Sequence, residues 1–141
     1  MIVDITHAIQ LAVAPVFLLT AIATLVSVLT GRLGRAVDRR RVLVSALATL
    51  DAAHAGGATD ELAFVNRRIP TIYAAIALSV AGALLICLTI AVAFMAALVG
   101  THLARLVAVL FVLAMLALIG SLALFLHEIY LAVNTVPSPL R

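Results

Sequence analysis

The sequence is poor in charge and in the residues that stabilise small secreted proteins. It contains no lysine, no tryptophan and one cysteine, and only 11% of its 141 residues are charged. A single cysteine excludes an intrachain disulfide framework. Soluble domains carry about 25% charged residues, and disordered tails carry more charge and less apolar character than this chain. These shortages exclude an ordinary soluble domain, a disordered tail and a disulfide scaffold.

Apolar residues make up 66% of the chain, and the mean hydropathy is +1.31. They form three long runs that predict membrane spans at about 8–30, 72–99 and 103–126. A span needs about 20 mostly apolar residues. Backbone groups in lipid must be paired within the segment, which requires a helix. The sequence therefore predicts an all-α integral membrane protein, a single domain with three transmembrane helices.

The arginines are distributed unevenly. Seven of the nine basic residues lie in the segment 31–71, between the first and second runs, whereas the turn between the second and third runs offers Arg105 alone. Basic residues favour the cytoplasmic side. We therefore expect a cytoplasmic loop, a periplasmic N-terminus and a cytoplasmic C-terminus in a bacterial inner membrane. The clustering is typical of membrane topology, so nucleic acid is not an expected partner.

The loop itself has helical patterning. A helix is predicted over 32–50 that either continues from the first run or bends away at Gly31 and Gly34. It is followed by a break at Gly56 and Gly57 and by a second short helix from an N-cap at Thr59 to Arg68. This predicts a cytoplasmic helical hairpin whose arginines contact anionic lipid headgroups, with the alternative that they only set the membrane topology and bind no ligand. The residues from 131 to 141 are predicted to form a C-terminal tail.

The first run contains a proline and a stripe of three small hydroxyl residues. Pro15 lies inside it and predicts a local bend packed by neighbouring helices. Thr20, Thr24 and Ser27 share one helical face. Small polar residues on one face favour close helix packing and interhelical hydrogen bonds. A stripe that lines a polar pathway is the alternative.

Glu128 closes the third run, where an unpaired carboxylate is costly. We expect it to pair with Arg32, Arg35 or Arg68 as a structural anchor, with a proton or cation site as the alternative. Asp38 lies three residues from two arginines, within reach on a helix.

No catalytic motif, phosphate-binding loop or metal-ligand spacing is present in the sequence. Enzymatic activity is therefore not expected, and neither a cofactor nor a metal is predicted.

Two segments carry a family resemblance. Residues 14–20 (APVFLLT) and 30–39 (TGRLGRAVDR) resemble the N-terminal signature of a bacterial membrane family catalogued as domain of unknown function 2721. Arg67 and Arg68, and residues 126–129 (LHEI), also resemble its pattern. The resemblance implies a three-span inner-membrane protein of about this size and carries over no catalytic residue. His127 stands where that family often has arginine.

Together these features favour a structural or interaction protein, a homo-oligomer or an accessory subunit with a membrane-protein partner. A homo-oligomeric ion channel or small transporter is the alternative. The candidate positions are Pro15, Thr20, Thr24, Ser27, Arg32, Arg35, Asp38, Arg39, Arg67, Arg68 and Glu128.

Overall fold

The computed structural model describes residues 2–49 and 55–134, apart from the side chains of residues 2–5, 8, 11 and 134. Three α-helices account for almost all of these residues. They are α1 (Ile2–Leu47), α2 (Ala55–Val99) and α3 (Ala104–Asn134). The all-α prediction is confirmed for the described ranges.

All three helices are long and apolar enough to cross a membrane. At about 1.5 Å per residue, the 46 residues of α1 extend about 69 Å, more than twice a hydrocarbon core of ~30 Å. Only 11% of the most apolar window of α1 is buried inside the protein. Large apolar side chains such as Phe17, Leu84 and Leu126 lie exposed on the outer faces. This surface is suited to lipid and identifies a membrane protein.

The middle helix organises the bundle. α2 packs along both α1 and α3, which contact each other far less. All three helices meet at a small apolar core of Ile22, Ile86, Ala114 and Leu118. Since α2 is the shared neighbour, the bundle is held by two helix–helix seams.

Small residues allow α2 and α3 to approach closely. Ser121 donates a hydrogen bond to the carbonyl oxygen of Ala75 at 2.8 Å, and its oxygen lies 2.6 Å from that of Ser79. Because the hydroxyl proton of Ser121 is already used in the hydrogen bond to Ala75, the Ser79 hydroxyl is the donor to the Ser121 oxygen. All three residues are buried, and their small side chains let the two helix backbones approach closely.

A glycine turn joins α2 to α3. Gly100 has a φ of 70°, and the amide of Thr101 donates to the carbonyl oxygen of Ala96 at 3.1 Å. This is the Schellman arrangement, in which a left-handed glycine ends the helix. The turn predicted here is confirmed.

The segment between the first two spans differs from prediction. α1 runs without interruption through Gly31 and Gly34, which is one of the two predicted courses, whereas α2 already begins at Ala55, within the predicted break. Gly56 therefore lies in the first turn of α2, and the Thr59 hydroxyl donates within the helix to the Ala55 carbonyl instead of capping it.

The helices continue because their apolar faces remain paired beyond the spans. Leu43 of α1 and Val65 of α2 are both buried outside the predicted membrane segments. Pro70 lies inside α2, and α3 continues to Asn134, into the range predicted for the tail. The remaining residues of that tail lie outside the described residues.

Candidate functional site

Two polar stripes face each other where α1 and α2 extend beyond the apolar runs. Each stripe repeats at the spacing i, i+3, i+4 and i+7, which places four side chains on one helical face. The stripe on α1 consists of Arg32, Arg35, Ala36 and Arg39. The stripe on α2 consists of Glu61, Phe64, Val65 and Arg68. The helices are antiparallel, so Arg39 lies level with Glu61, and Arg32 with Arg68.

Glu128 of α3 lies between two of these arginines. Its side chain is 2% exposed and accepts a hydrogen bond from Nη1 of Arg32 at 2.7 Å. Its other oxygen accepts from Nη2 of Arg68. The predicted ion pair of Glu128 is therefore confirmed with Arg32 and Arg68, whereas Arg35 does not take part. One carboxylate thus joins all three helices at one end of the bundle.

Aromatic rings cover the same guanidinium groups. The Arg32 guanidinium carbon lies 5.1 Å from the centre of the Phe125 ring, and that of Arg68 lies 5.4 Å from the centre of Phe64. Both distances are within the range of a cation–π contact. The Nε of Arg68 is buried and has no hydrogen-bond partner among the described residues. Arg68 therefore keeps an unused donor beside the carboxylate that it pairs with.

A second ion pair lies farther from the apolar runs. Arg39 donates to both oxygens of Glu61, from Nε at 2.6 Å and from Nη2 at 2.8 Å. Hydrogen bonds from Arg39 hold the pKa of the Glu61 carboxyl below its ordinary value. Glu61 lies in the short helix that the sequence predicts from Thr59 to Arg68, but its partner could not be predicted, because the pairing depends on the register of α1 against α2.

The two stripes enclose a cavity of about 420 Å³. Four arginines line it, and the acidic groups at it are Glu61 in its wall and Glu128 behind it. The cluster therefore has a net charge of +2. Within the described residues Arg35 has no ion pair. One of its terminal nitrogens lies beside Gly31, 3.9 Å from the position that a Cβ atom on that glycine would occupy. The arrangement is able to hold an anion through charge-assisted hydrogen bonds.

The other candidate positions lie apart from this cluster. Pro15 is buried inside α1, Arg67 is exposed, and Asp38 is exposed without an ion pair to any described residue. The expected pairing of Asp38 with its neighbouring arginines is therefore not formed.

The stripe of Thr20, Thr24 and Ser27 lies on the exposed side of α1. The Thr24 hydroxyl donates to the Thr20 carbonyl at 3.1 Å, and the Thr20 hydroxyl to the Val16 carbonyl at 3.4 Å. These residues face away from α2, because the buried Ile22 and Leu29 occupy the opposite side of the helix. The predicted interhelical bonding of this stripe is absent from the described bundle.

A second, mostly apolar cavity of about 760 Å³ lies at the opposite end, beside Pro15, Phe111 and the turn at Gly100. His7 and His102 reach its edge. Within the side chains that the structure describes, no group of three potential metal ligands comes together.

Sequence comparison places the chain in one family. Neither a curated protein nor a solved structure matches it. A family match covers residues 12–137, which include both polar stripes and Glu128. The chain therefore belongs to the family described as "Protein of unknown function (DUF2721)".

Proposed function

We propose that this protein is an interaction or accessory subunit of the bacterial inner membrane that associates with a second copy of itself through the outer face of α1. The observation that carries the proposal is the exposed position of Thr20, Thr24 and Ser27 within the first apolar run. A face that only contacts lipid has no need of small hydroxyl residues, whereas a helix contact in a membrane favours them.

The local chemistry of this face supports a packing surface. The hydroxyls of Thr20 and Thr24 are already satisfied by carbonyls of their own helix, so the face can be covered without leaving an unpaired donor. Their side chains are small, which permits two backbones to approach closely. Gly31, also exposed, continues the same face by one more turn.

The proposed orientation follows from charge. The arginine-rich ends of α1 and α2 lie in the cytoplasm, and the turn at Gly100 lies in the periplasm, because basic residues are retained on the cytoplasmic side. The same arginines lie near the anionic headgroups of the inner leaflet and are attracted to them.

Cysteine crosslinking in native membranes tests self-association. In a Cys87→Ala background, Thr24→Cys is expected to give a covalent dimer with a short bifunctional thiol reagent. Leu84→Cys is the matched control, because Leu84 is exposed on α2 near the level of the shared core. Equal dimer yields from the two variants would contradict the proposal. Crosslinks from Thr24→Cys only to other proteins would replace the second copy with a different partner.

A homo-oligomeric channel or small transporter is the second candidate. Ile22, Ile86, Ala114 and Leu118 fill the centre of the single bundle, so a polar path would have to form between copies along the hydroxyl stripe. Ion flux into liposomes that is abolished by Thr24→Leu would favour this candidate. An oligomer that conducts none of the ions tested would argue for the interaction role.

A further inference from the structure

We infer that the cavity between the two polar stripes is a binding site for a phosphate group, supplied by the headgroup of an anionic phospholipid or by free phosphate. The inference rests on the proposed position of this end at the membrane surface, and it does not depend on self-association. It concerns Arg32, Arg35, Arg39 and Arg68, which line the cavity.

The charge of the cavity calls for an anion. The four guanidinium groups outnumber the two carboxylates, Glu61 and Glu128, and the excess is +2. Arg32 and Arg68 share one carboxylate, and both are largely shielded from solvent, with side chains 32% and 25% exposed. Concentrated positive charge in a partly desolvated cavity is costly unless it is compensated. A phosphate with one or two negative charges compensates it.

The donors fit the same ligand. A guanidinium presents a planar fork of N–H groups that matches the oxygens of a phosphate. Arg35 lines the cavity and has no ion pair within the described ranges, so no carboxylate there competes for its guanidinium. The cavity volume of about 420 Å³ lies within the range of ligand sites and accommodates a headgroup-sized molecule.

The position of the cavity fits a lipid headgroup. Arg32 follows the first apolar run by two residues, and Arg68 precedes the second by four. At about 1.5 Å per residue, Arg32 lies about 3 Å beyond the edge of the hydrocarbon. The polar region of each leaflet is roughly 5–8 Å thick. The inner end of the cavity is therefore at the depth of lipid phosphates.

The test measures thermal stabilisation of the purified full-length protein in detergent. Wild-type protein is titrated with short-chain phosphatidylglycerol, with sodium phosphate, and with zwitterionic phosphatidylcholine as the reference. We expect Arg35→Gln to weaken the apparent affinity for the stabilising anion about tenfold, the effect of losing one good charged hydrogen bond. Arg40→Gln, an exposed neighbour outside the cavity that removes the same charge, is expected to change it less than about twofold.

A second variant tests the site by a gain of affinity. Glu61→Gln removes a negative charge from the cavity wall and releases Arg39. It is expected to tighten anion binding severalfold, a result that damage to the fold cannot imitate. Stabilisation by phosphatidylglycerol but not phosphate would identify the lipid as the source, and stabilisation by phosphate but not phosphatidylglycerol would identify free phosphate. Equal stabilisation by both would show that the phosphate group alone is recognised.

Two results would overturn the inference. One is the absence of stabilisation by either anion relative to phosphatidylcholine. The other is an equal loss of affinity in Arg35→Gln and Arg40→Gln, which would show diffuse attraction to an anionic surface. The second result would leave the proposed membrane-surface position of these arginines intact, and the crosslinking experiment on α1 would be unaffected by both.

Discussion

At the scale of single residues, Glu128 contributes most to the architecture. Its need for a partner could be predicted from the sequence, because a carboxylate at the end of an apolar run is costly when unpaired. The sequence alone could not show which of Arg32, Arg35 and Arg68 pairs with Glu128. The choice depends on the register between α1 and α2, which brings Arg32 and Arg68 level and leaves Arg35 facing the cavity.

Glu128→Ala is predicted to destabilise the protein by about 3 kcal/mol, because it leaves two partly buried arginines without their shared counter-charge. Asp60→Ala is the control, since Asp60 is exposed and forms no ion pair with the described residues, and a change within about 0.5 kcal/mol is expected. Reversible unfolding in mixed detergent micelles measures both. Equal destabilisation by the two variants would show that Glu128 is not an anchor.

The aromatic contacts and the Arg39–Glu61 pair were missed at this scale. The sequence does contain a signal, because charged residues share one helical face on each side of the loop: Arg32, Arg35 and Arg39 at i, i+3 and i+7, and Glu61 and Arg68 at i and i+7. This signal becomes visible only when both helices are taken to continue past the apolar runs. The sequence instead predicted a break at Gly56 and Gly57.

At the scale of elements, the apolar runs predicted three helices long enough to cross a membrane but not where those helices end. The burial of Leu43 and Val65 shows that the α1–α2 contact continues beyond the apolar runs, which is why both helices are longer than the predicted spans. Ser79 and Ser121 meet at the α2–α3 seam, but the spacing of small residues in the sequence does not specify which two helices pack together.

Substitutions of glycine by alanine along the α2–α3 seam test how closely the two helices approach each other. A Cβ on Gly120 would lie 2.6 Å from Cδ2 of Leu78, whereas a Cβ on Gly82 would meet its neighbours at 3.5 Å or more. Gly120→Ala is therefore predicted to be less stable than Gly82→Ala by about 1 kcal/mol, the lower range for overpacking, because the end of Leu78 can move.

The double-mutant cycle isolates this contact. In a Leu78→Ala background the difference between the two alanine variants should disappear, since the clashing methyl group is gone. Persistence of the full difference in that background would mean that Gly120 is needed for some other reason. Thermal unfolding in detergent provides the comparison.

At the scale of the whole molecule, three long apolar helices with little buried interior account for the composition, and membership of the family agrees with the resemblance read from residues 14–20 and 30–39. The arginine cluster is at one end of this bundle and the Gly100 turn is at the other. The orientation in the membrane is predicted from charge alone, because the three-helix bundle has the same fold whichever end faces the cytoplasm.

The decisive measurement is the accessibility of single cysteines in intact bacterial cells that express the Cys87→Ala protein. A membrane-impermeant thiol reagent is predicted to label Thr101→Cys, at the turn between α2 and α3, in intact cells. It is predicted to label Ser45→Cys, near the arginine-rich end of α1, only after the membrane is permeabilised. Equal labelling of both cysteines in intact cells would contradict a chain that crosses the membrane between them.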